Sequence, residues 1–343
     1  MALRVPGRDI SARVEYRSVV VTVVLLALTG GVFAWSLSVG DFPIPVGDVV
    51  RTLVGAGTTD SDFIIRTLRL PRGLDGLLVG AAFGLSGAIL QRIARNPLAS
   101  PDIVGVNSGA AAAAVLVIVA WNGSSSQITA GALAGALIAS LAVYLMAYKK
   151  GVSGYRLVLV GIGLSAMLDS VVSYLLTRGK IEDVQQATVW LTGSLDGRGW
   201  DDVRPMAWTL AVLGPLALVL ARHLRLLELG DETARGLGVR VETARAALLL
   251  VAVGLAAVAT ASGGPIRFVA LVAPQIARRL TGERSLGLLP SAACGALLLT
   301  ASDLAGRRIF APTELPVGVV TAVLGAPFLL WLLARANRIG SGG

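Results

Sequence analysis

The sequence predicts an all-α protein that crosses a membrane many times, and three observations support this fold class. Hydrophobic residues make up 55% of the 343 residues, charged residues make up 15%, and the mean hydropathy is +0.75. A soluble domain of this size needs a more strongly charged surface. Apolar runs of about 20 residues, enough to cross roughly 30 Å of hydrocarbon, recur between short charged or Gly/Pro-containing breaks. The 41 glycines suit helices that pack closely in lipid.

Ten apolar segments predict about ten transmembrane helices. The predicted spans cover residues 18–40, 71–93, 102–121, 127–148, 156–177, 203–223, 241–262, 265–281, 286–306 and 316–335. An even number of spans places both termini on the same side of the membrane. Lys and Arg are more numerous in the N-terminal segment and in the loops on its side, so the positive-inside rule predicts cytoplasmic termini. We therefore expect a cytoplasmic segment at 1–17 and a cytoplasmic tail at 336–343.

Composition argues against several classes of site. The net charge of +9 comes from arginines between apolar segments rather than from a basic run with interleaved aromatic residues, so no nucleic-acid partner is expected. The single cysteine, Cys294, lies in an apolar run and is expected to be a core residue. The single histidine, His223, has no Cys or clustered carboxylates near it in the sequence. Neither a metal site nor a bound cofactor is therefore expected.

Three stretches are more polar, or richer in Gly and Pro, than the segments around them. They are RLPR at 69–72 with GLSGA at 84–88 and RNPLASPD at 95–102; LGDETARGLGV at 229–239; and GPIRF at 264–268 with APQI at 273–276, ELPVGVVTA at 314–322 and GAPF at 325–328. Because these motifs occur in this order and at this spacing, the chain from about Ser36 to Leu333 resembles the FecCD-type permease family of ABC importers for ferric siderophores, haem and cobalamin.

This resemblance implies an architecture, a set of partners and a function. It implies a single permease domain over residues 1–343, with the type II ABC importer architecture, in the bacterial cytoplasmic membrane. The implied partners are a second permease subunit, either identical or paralogous, two cytoplasmic ATPase subunits and an extracytoplasmic substrate-binding protein. The implied function is import of a ferric siderophore, with cobalamin or haem as alternatives because the family shares its motifs. An ion-coupled secondary transporter is less favoured, because it needs several buried carboxylates or histidines along a path and only Asp169 is a clear candidate.

The sequence predicts a transport subunit rather than an enzyme. It contains no Walker A motif, since the Gly179-Lys180 pair is followed by Ile181. A separate ATPase must then drive transport, and the cytoplasmic loop at 224–240 is the element predicted to couple that ATPase to the permease. Its acidic residues and later glycines are typical of a short helix, although an ordinary solvated loop is the alternative. The expected coupling residues are Leu229, Gly230, Asp231, Glu232, Ala234, Arg235, Gly236, Leu237 and Gly238.

Arginines on the predicted outer side run against the positive-inside trend. In the family that the chain resembles, arginines at these motif positions meet acidic residues of the binding protein, and the matching residues are Arg69, Arg72 and Arg307. Snorkelling at the level of the lipid headgroups is the alternative for each of them. Asp303 lies four residues before Arg307, so it is also a candidate to orient that guanidinium on one helix face.

Five residues are predicted to belong to the gate or the transport pathway. Gly264 and Pro265 stand at the start of a short span, where they break regular helix, and irregular backbone at membrane depth needs shielding by protein or a water-filled cavity. Asp169 lies inside a span, so it is expected either to line the pathway or to make a structural hydrogen bond. Ser153 and Gly154 match the position of the family's inner gate, where small residues would let two subunits approach closely.

The motif at 273–276 departs from the family pattern at one position. The family commonly has Pro-His there, whereas this chain has Pro274-Gln275. A glutamine amide keeps the capacity to hydrogen-bond but does not titrate. A proton carrier at this position is therefore not expected.

Overall fold

The computed structural model describes residues 2–4, 11–13, 16–40, 42–149, 151, 154–282 and 286–340. The long helices are α1 (Tyr16–Ser38), α4 (Leu70–Ala94), α5 (Val106–Trp121), α6 (Ser125–Ala147), α7 (Gly154–Arg178), α9 (Trp200–Glu228), α11 (Val241–Gly263), α12 (Val269–Thr281), α13 (Leu288–Arg308) and α14 (Val317–Gly340). The short elements are β1 (Ala2–Arg4), β2 (Ser11–Arg13), α2 (Val46–Leu53), α3 (Thr59–Asp62), a π-helical segment (Phe63–Arg69), α8 (Ile181–Thr192) and α10 (Asp231–Gly236).

The ten long helices lie where the ten apolar segments predicted them, which confirms the all-α polytopic fold. Among the described residues, seven helices are long and apolar enough to cross a membrane by length and composition. With 16 and 13 residues, α5 and α12 are shorter than a full span of about 20 residues requires. Each begins about four residues later than the sequence suggested, at Val106 and Val269, because a non-helical segment precedes it.

At the centre of the bundle, α4 is buried along most of its length and packs against α9, α11, α12 and α13. Glycine allows the closest of these contacts. A Cβ atom on Gly84 would lie 2.1 Å from the carbonyl oxygen of Ser291, and one on Gly295 would lie 2.1 Å from that of Gly80. Because α4 and α13 meet backbone to backbone, small residues provide the packing that the glycine content predicted.

The short elements were not predicted as helices or strands, apart from α10. Hydropathy detects runs long enough to span, and these elements are short or amphipathic. In α8, Glu182 and Asp183 occupy the first turn, where carboxylates favour the helix dipole, and few of its residues are buried. The strands β1 and β2 pair in antiparallel fashion within the segment 1–17, for which no regular structure was predicted.

Candidate functional site

A cavity of about 650 Å³ opens beside α7. Its wall combines one face of α7, the start of α5 and the segment between α11 and α12. Its polar lining residues are Asp102, Asn107, Ser108, Ser165, Asp169, Ser173 and Arg267. Charged and hydroxyl side chains are costly within an apolar helix bundle unless they face water, substrate or one another. This cavity is therefore the candidate transport pathway.

The predicted break between α11 and α12 forms part of the cavity wall. Residues 264–268 are not helical, and Gly264 has a left-handed φ of 79°. A Cβ atom on Gly264 would lie 2.9 Å from the Cα atom of Gly193, so both the backbone angle and the close contact require glycine. Pro265 and Arg267 line the cavity. The irregular backbone is thus shielded by protein and by the cavity, as irregular backbone at membrane depth requires.

A second irregular segment, residues 95–105, reaches the same cavity. Its side chains hold it against α11 through a chain of hydrogen bonds. The Asp102 carboxylate accepts hydrogen bonds from the Asn107 amide and, at 3.3 Å, from the Ser100 hydroxyl. The Thr260 hydroxyl donates to the Asn107 side-chain oxygen at 2.7 Å. Asp102 and Arg267 lie in two of the motifs that carry the family resemblance, but neither they nor Asn107 were predicted from the sequence to be cavity residues.

One face of α7 contributes a polar stripe to the cavity. Ser165, Asp169 and Ser173 recur every four residues, so they share a face of the helix, and all three line the cavity. The Ser173 hydroxyl donates to the backbone carbonyl of Asp169 at 2.9 Å. Within the part of the chain that the structure describes, the Asp169 carboxylate makes no hydrogen bond or ion pair. Of the two alternatives for Asp169, its position on the cavity wall favours pathway lining.

The two candidate gate residues lie at the start of α7. Ser153 lies outside the described residues. Gly154 begins α7, and a Cβ atom there would lie 2.7 Å from the Cα atom and 2.8 Å from the carbonyl oxygen of Ala94. Its close contact is therefore with the end of α4 in the same chain, whereas the sequence suggested a contact between subunits. A role for Gly154 in gating stays a prediction.

The predicted coupling loop contains the short helix α10, which ends in a Schellman motif. The Val239 N–H donates to the Ala234 carbonyl at 3.0 Å, and the Gly238 N–H donates to the Arg235 carbonyl at 2.9 Å. Gly238 has a φ of 82°, which is a left-handed conformation that glycine adopts without strain. Gly236 is helical instead, and a Cβ atom there would meet nothing within 4 Å. The two glycines therefore have different roles.

Ion pairs fix α10 to the helices behind it. The Arg245 guanidinium of α11 donates to both carboxylate oxygens of Asp231, at 2.8 and 2.9 Å, and Arg95 at the end of α4 donates to one of them at 3.0 Å. Burial raises the pKa of Asp231, but hydrogen bonding and charge from Arg245, with the charge of Arg95, outweigh it and lower the pKa below its usual value. Asp231 thus stays ionised at neutral pH and ties α10 to α4 and α11.

The predicted docking arginines are engaged within the chain. Arg69 donates to the backbone carbonyls of Leu37 at 2.8 Å and Phe42 at 2.6 Å, and so holds the turn that follows α1. Arg307 forms an ion pair with Asp303 at 3.1 Å, so the two are oriented on one helix face as predicted.

Arg72 joins three carboxylates from separate parts of the chain. It forms ion pairs with Asp303 at 3.0 Å, Glu314 at 2.9 Å and Asp196 at 3.2 Å. The side chains of Arg72 and Arg307 are only 15% and 11% exposed. Neither arginine is therefore unpaired, because carboxylates distant in sequence converge on Arg72 and Asp303 of the same helix pairs with Arg307. Docking of a binding protein at this network stays a prediction.

Gln275 takes part in a buried amide network. Its side-chain nitrogen donates to the Gln91 side-chain oxygen at 2.6 Å and to the Pro97 carbonyl at 3.1 Å. The Gln91 nitrogen donates in turn to the Leu271 carbonyl at 3.0 Å. These bonds fix α12 to α4 and to the start of the irregular segment 95–105.

Among all the described residues, no group of three or more His, Cys, Asp or Glu side chains could hold a metal ion.

Cys294 is buried in a small apolar cluster with Leu25, Ala273 and Ala277, which confirms its prediction as a core residue. The cavity beside α7 offers charged groups and hydroxyls for contact with a passing solute.

Comparisons with known proteins agree on one family. The model of the FecCD transport family matches residues 25–335. Over 304 residues the chain is 43% identical to the ferric enterobactin transport system permease protein FepG of Escherichia coli (strain K12), which covers 89% of this chain and 92% of FepG. Over 330 residues it is 40% identical to the iron(3+)-hydroxamate import system permease protein FhuG of Bacillus subtilis (strain 168), which covers 94% of this chain and 98% of FhuG.

A solved structure has the same fold over nearly the whole chain. It is an inward-facing conformation of a protein described as a metal-chelate type ABC transporter. It superimposes with a TM-score of 0.81 at 28% sequence identity, covering 93% of this chain and 99% of that one. The chain is therefore a multi-pass membrane permease that belongs to the FecCD transport family.

Proposed function

We propose that this chain is the membrane-spanning permease subunit of an ABC importer that moves a ferric siderophore across the bacterial cytoplasmic membrane. The observation that carries the proposal is the cavity beside α7, whose wall joins two irregular segments to a polar helix face. The names of FepG and FhuG describe transport of ferric enterobactin and iron(3+)-hydroxamate, and both relatives match this chain at 40% identity or more. Ferric siderophores are therefore the favoured substrate class.

A second permease subunit, identical or paralogous, would close the pathway. In the single chain Asp169 and Ser173 are exposed on α7. Without a partner subunit, lipid would contact these two side chains. A carboxylate facing hydrocarbon costs at least about 2.5 kcal/mol on insertion scales. A partner subunit that covers this face would convert the open cavity into a channel between two subunits.

Two cytoplasmic ATPase subunits would supply the work, because the chain has no Walker A motif of its own. The coupling surface we propose is α10 with its flanking residues. Leu229 and Leu237 are 59% and 58% exposed there, as expected of apolar side chains that a partner covers. Ion pairs of Asp231 would transmit a displacement of α10 to α4 and α11.

In this proposal both termini and the loop at 224–240 face the cytoplasm. The ion-pair network of Arg72 and Arg307 with Asp196, Asp303 and Glu314 faces the opposite side of the membrane. An extracytoplasmic binding protein would deliver the chelate to that outer face. Arg69, Arg72 and Arg307 are its proposed contacts, and Arg308 is an exposed neighbour. Residues 1–343 form a single permease domain in this view.

Reconstitution tests the proposed function directly. With its partner subunits and binding protein in proteoliposomes, the chain should accumulate radiolabelled iron as a siderophore chelate only when ATP is supplied. Ferric hydroxamate, ferric enterobactin, haem and cobalamin should be compared in the same preparation, and a Walker-lysine variant of the ATPase is the control. Accumulation by this chain alone, driven by a proton or sodium gradient, would contradict the proposal.

Replacing Gly238 with valine should weaken assembly with the ATPase. A β-branched residue in the left-handed conformation costs about 1–2 kcal/mol, so the Schellman end of α10 should loosen. We expect several-fold less ATPase to co-purify from membranes, while the amount of inserted permease is unchanged. Gly197→Val is the matched control, because Gly197 also has a left-handed φ, of 69°, with open space at its Cβ position, but lies outside the coupling loop. Equal ATPase recovery with Gly238→Val and wild type would show that α10 is not the docking element.

A further inference from the structure

A second cavity, of about 290 Å³, lies at the end of the bundle beneath the coupling loop. The last turns of α4 form its base, with the end of α9 on one side and α12 and the start of α13 on the other. Its charged lining residues are Arg92, Arg95, Arg278 and Glu228. Three guanidinium groups and one carboxylate give this lining a net charge of +2.

Among the described residues, neighbouring groups do not cancel this excess. Glu228 forms an ion pair with Arg92. Arg95 pairs with Asp231, but Arg245 binds the same carboxylate and Arg235 pairs with Glu242, so these neighbouring groups add no net charge.

Arg278 is the least engaged of the cavity's arginines. It is exposed, and among the described residues it forms no hydrogen bond or ion pair. Arg278 and Arg225 both repel Arg92 electrostatically, so positive charge is concentrated at this point. A site that gathers like charges without enough counter-charge is suited to an anion.

The uncharged residues of the lining indicate which kind of anion the cavity could bind. Gln91, Asn96 and Ser291 supply uncharged polar groups, whereas Ala88, Pro274 and Leu286 supply apolar surface. Guanidinium groups match the oxygens of a phosphate group in geometry as well as charge. Basic pockets between transmembrane helices, at the level where the helices end, are typical sites for anionic lipid headgroups.

We propose that this cavity binds the phosphate group of an anionic phospholipid. A lipid fits better than a soluble phosphate because the apolar part of the wall can contact the glycerol and the first acyl carbons. The bound lipid would bridge α9 to α12 and α13 directly beneath α10. The proposal relies on the proposed function only for the cytoplasmic orientation of this end, and it concerns binding rather than transport.

Lipid binding can be measured on the full-length chain assembled with its partner subunits in detergent. We expect phosphatidylglycerol to raise the unfolding temperature and to remain bound in native mass spectra, and phosphatidylcholine to do neither. Arg278→Gln should weaken phosphatidylglycerol binding about tenfold, in line with the loss of one charge-assisted hydrogen bond. Arg222→Gln, at an exposed arginine of α9 outside the cavity lining, should bind as wild type does.

Two further experiments separate lipid binding from misfolding and from binding of soluble phosphate. Arg278→Lys keeps the charge and should retain a preference for phosphatidylglycerol, which separates lost binding from misfolding. Inorganic phosphate at millimolar concentration should not displace the lipid, and displacement would overturn the assignment to a lipid in favour of a soluble phosphate. Equal binding of phosphatidylglycerol by wild type and Arg278→Gln, or equal binding of the two lipids, would overturn the proposal. These results do not depend on iron uptake, so they stand or fall separately from the proposed function.

Discussion

Replacing Gly87 with alanine should prevent stable folding of the permease. A Cβ atom at this position would lie 1.8 Å from the carbonyl oxygen and 2.7 Å from the carbonyl carbon of Ala270. Overpacking of a core costs typically 1–3 kcal/mol, and we expect at least the upper end of that range because backbone, not a flexible side chain, is in the way. Such a loss is large against a total stability of about 5–15 kcal/mol. α4 and α12 would have to separate, and the start of the irregular segment 95–105, which follows α4, would move with them.

The measurement is the yield of monodisperse protein in detergent together with its unfolding temperature. Gly31→Ala is the matched control, since Gly31 is also a helical glycine but has nothing within 4 Å of its Cβ position. There the substitution should be neutral or should raise stability by up to about 1 kcal/mol, from helix propensity alone. If both variants gave wild-type yield and unfolding temperature, the close contact between α4 and α12 would not be a requirement of the fold.

The helices could be predicted from the sequence because their cause is local. A run of apolar residues long enough to span must form a helix, since no water is available to the backbone in lipid. All ten long helices were predicted within a few residues for this reason. The short helix α10 could also be predicted, because acidic residues at its start and glycine at its end are local signals.

Less of the candidate site could be predicted from the sequence, because its contacts join residues that are distant in the chain. Arg72 and Glu314 are 242 residues apart, and Arg72 and Asp303 are 231 residues apart. Without the fold, Arg72 looked unpaired. Asp102 and Arg267 both lay in motifs that the sequence analysis quoted, but only the structure brings them to one cavity. A charged residue within two positions of a Pro, near the end of a predicted span, is the signal that could have found them.

Reversing the charge of Arg72 to glutamate should both destabilise the permease and weaken docking of the proposed binding protein. In wild type, Arg72 and Arg307 face Asp303, Glu314 and Asp196, a net charge of −1. Arg72→Glu changes that sum to −3. Breaking a buried ion pair costs about 3–5 kcal/mol, and the pair with Asp303, whose side chain is 7% exposed, should account for most of the loss. The exposed partners Asp196 and Glu314 should contribute little.

Asp303→Asn separates the docking role of Arg72 from its structural role. It removes the same ion pair, together with that between Asp303 and Arg307, and should also lower the unfolding temperature. It raises the net charge of the network to 0, however, and frees guanidinium donors. If Arg72 meets carboxylates of the binding protein, Asp303→Asn should retain or strengthen binding-protein affinity, whereas Arg72→Glu should reduce it. The difference between the two variants should shrink with salt, as the screening length falls from about 10 Å at 0.1 M to about 3 Å at 1 M. Affinity for the reconstituted transporter, measured across salt for each variant, provides the test. An equal loss of affinity in both, insensitive to salt, would mean that Arg72 only holds the start of α4 and the end of α13 together and does not contact the proposed binding protein.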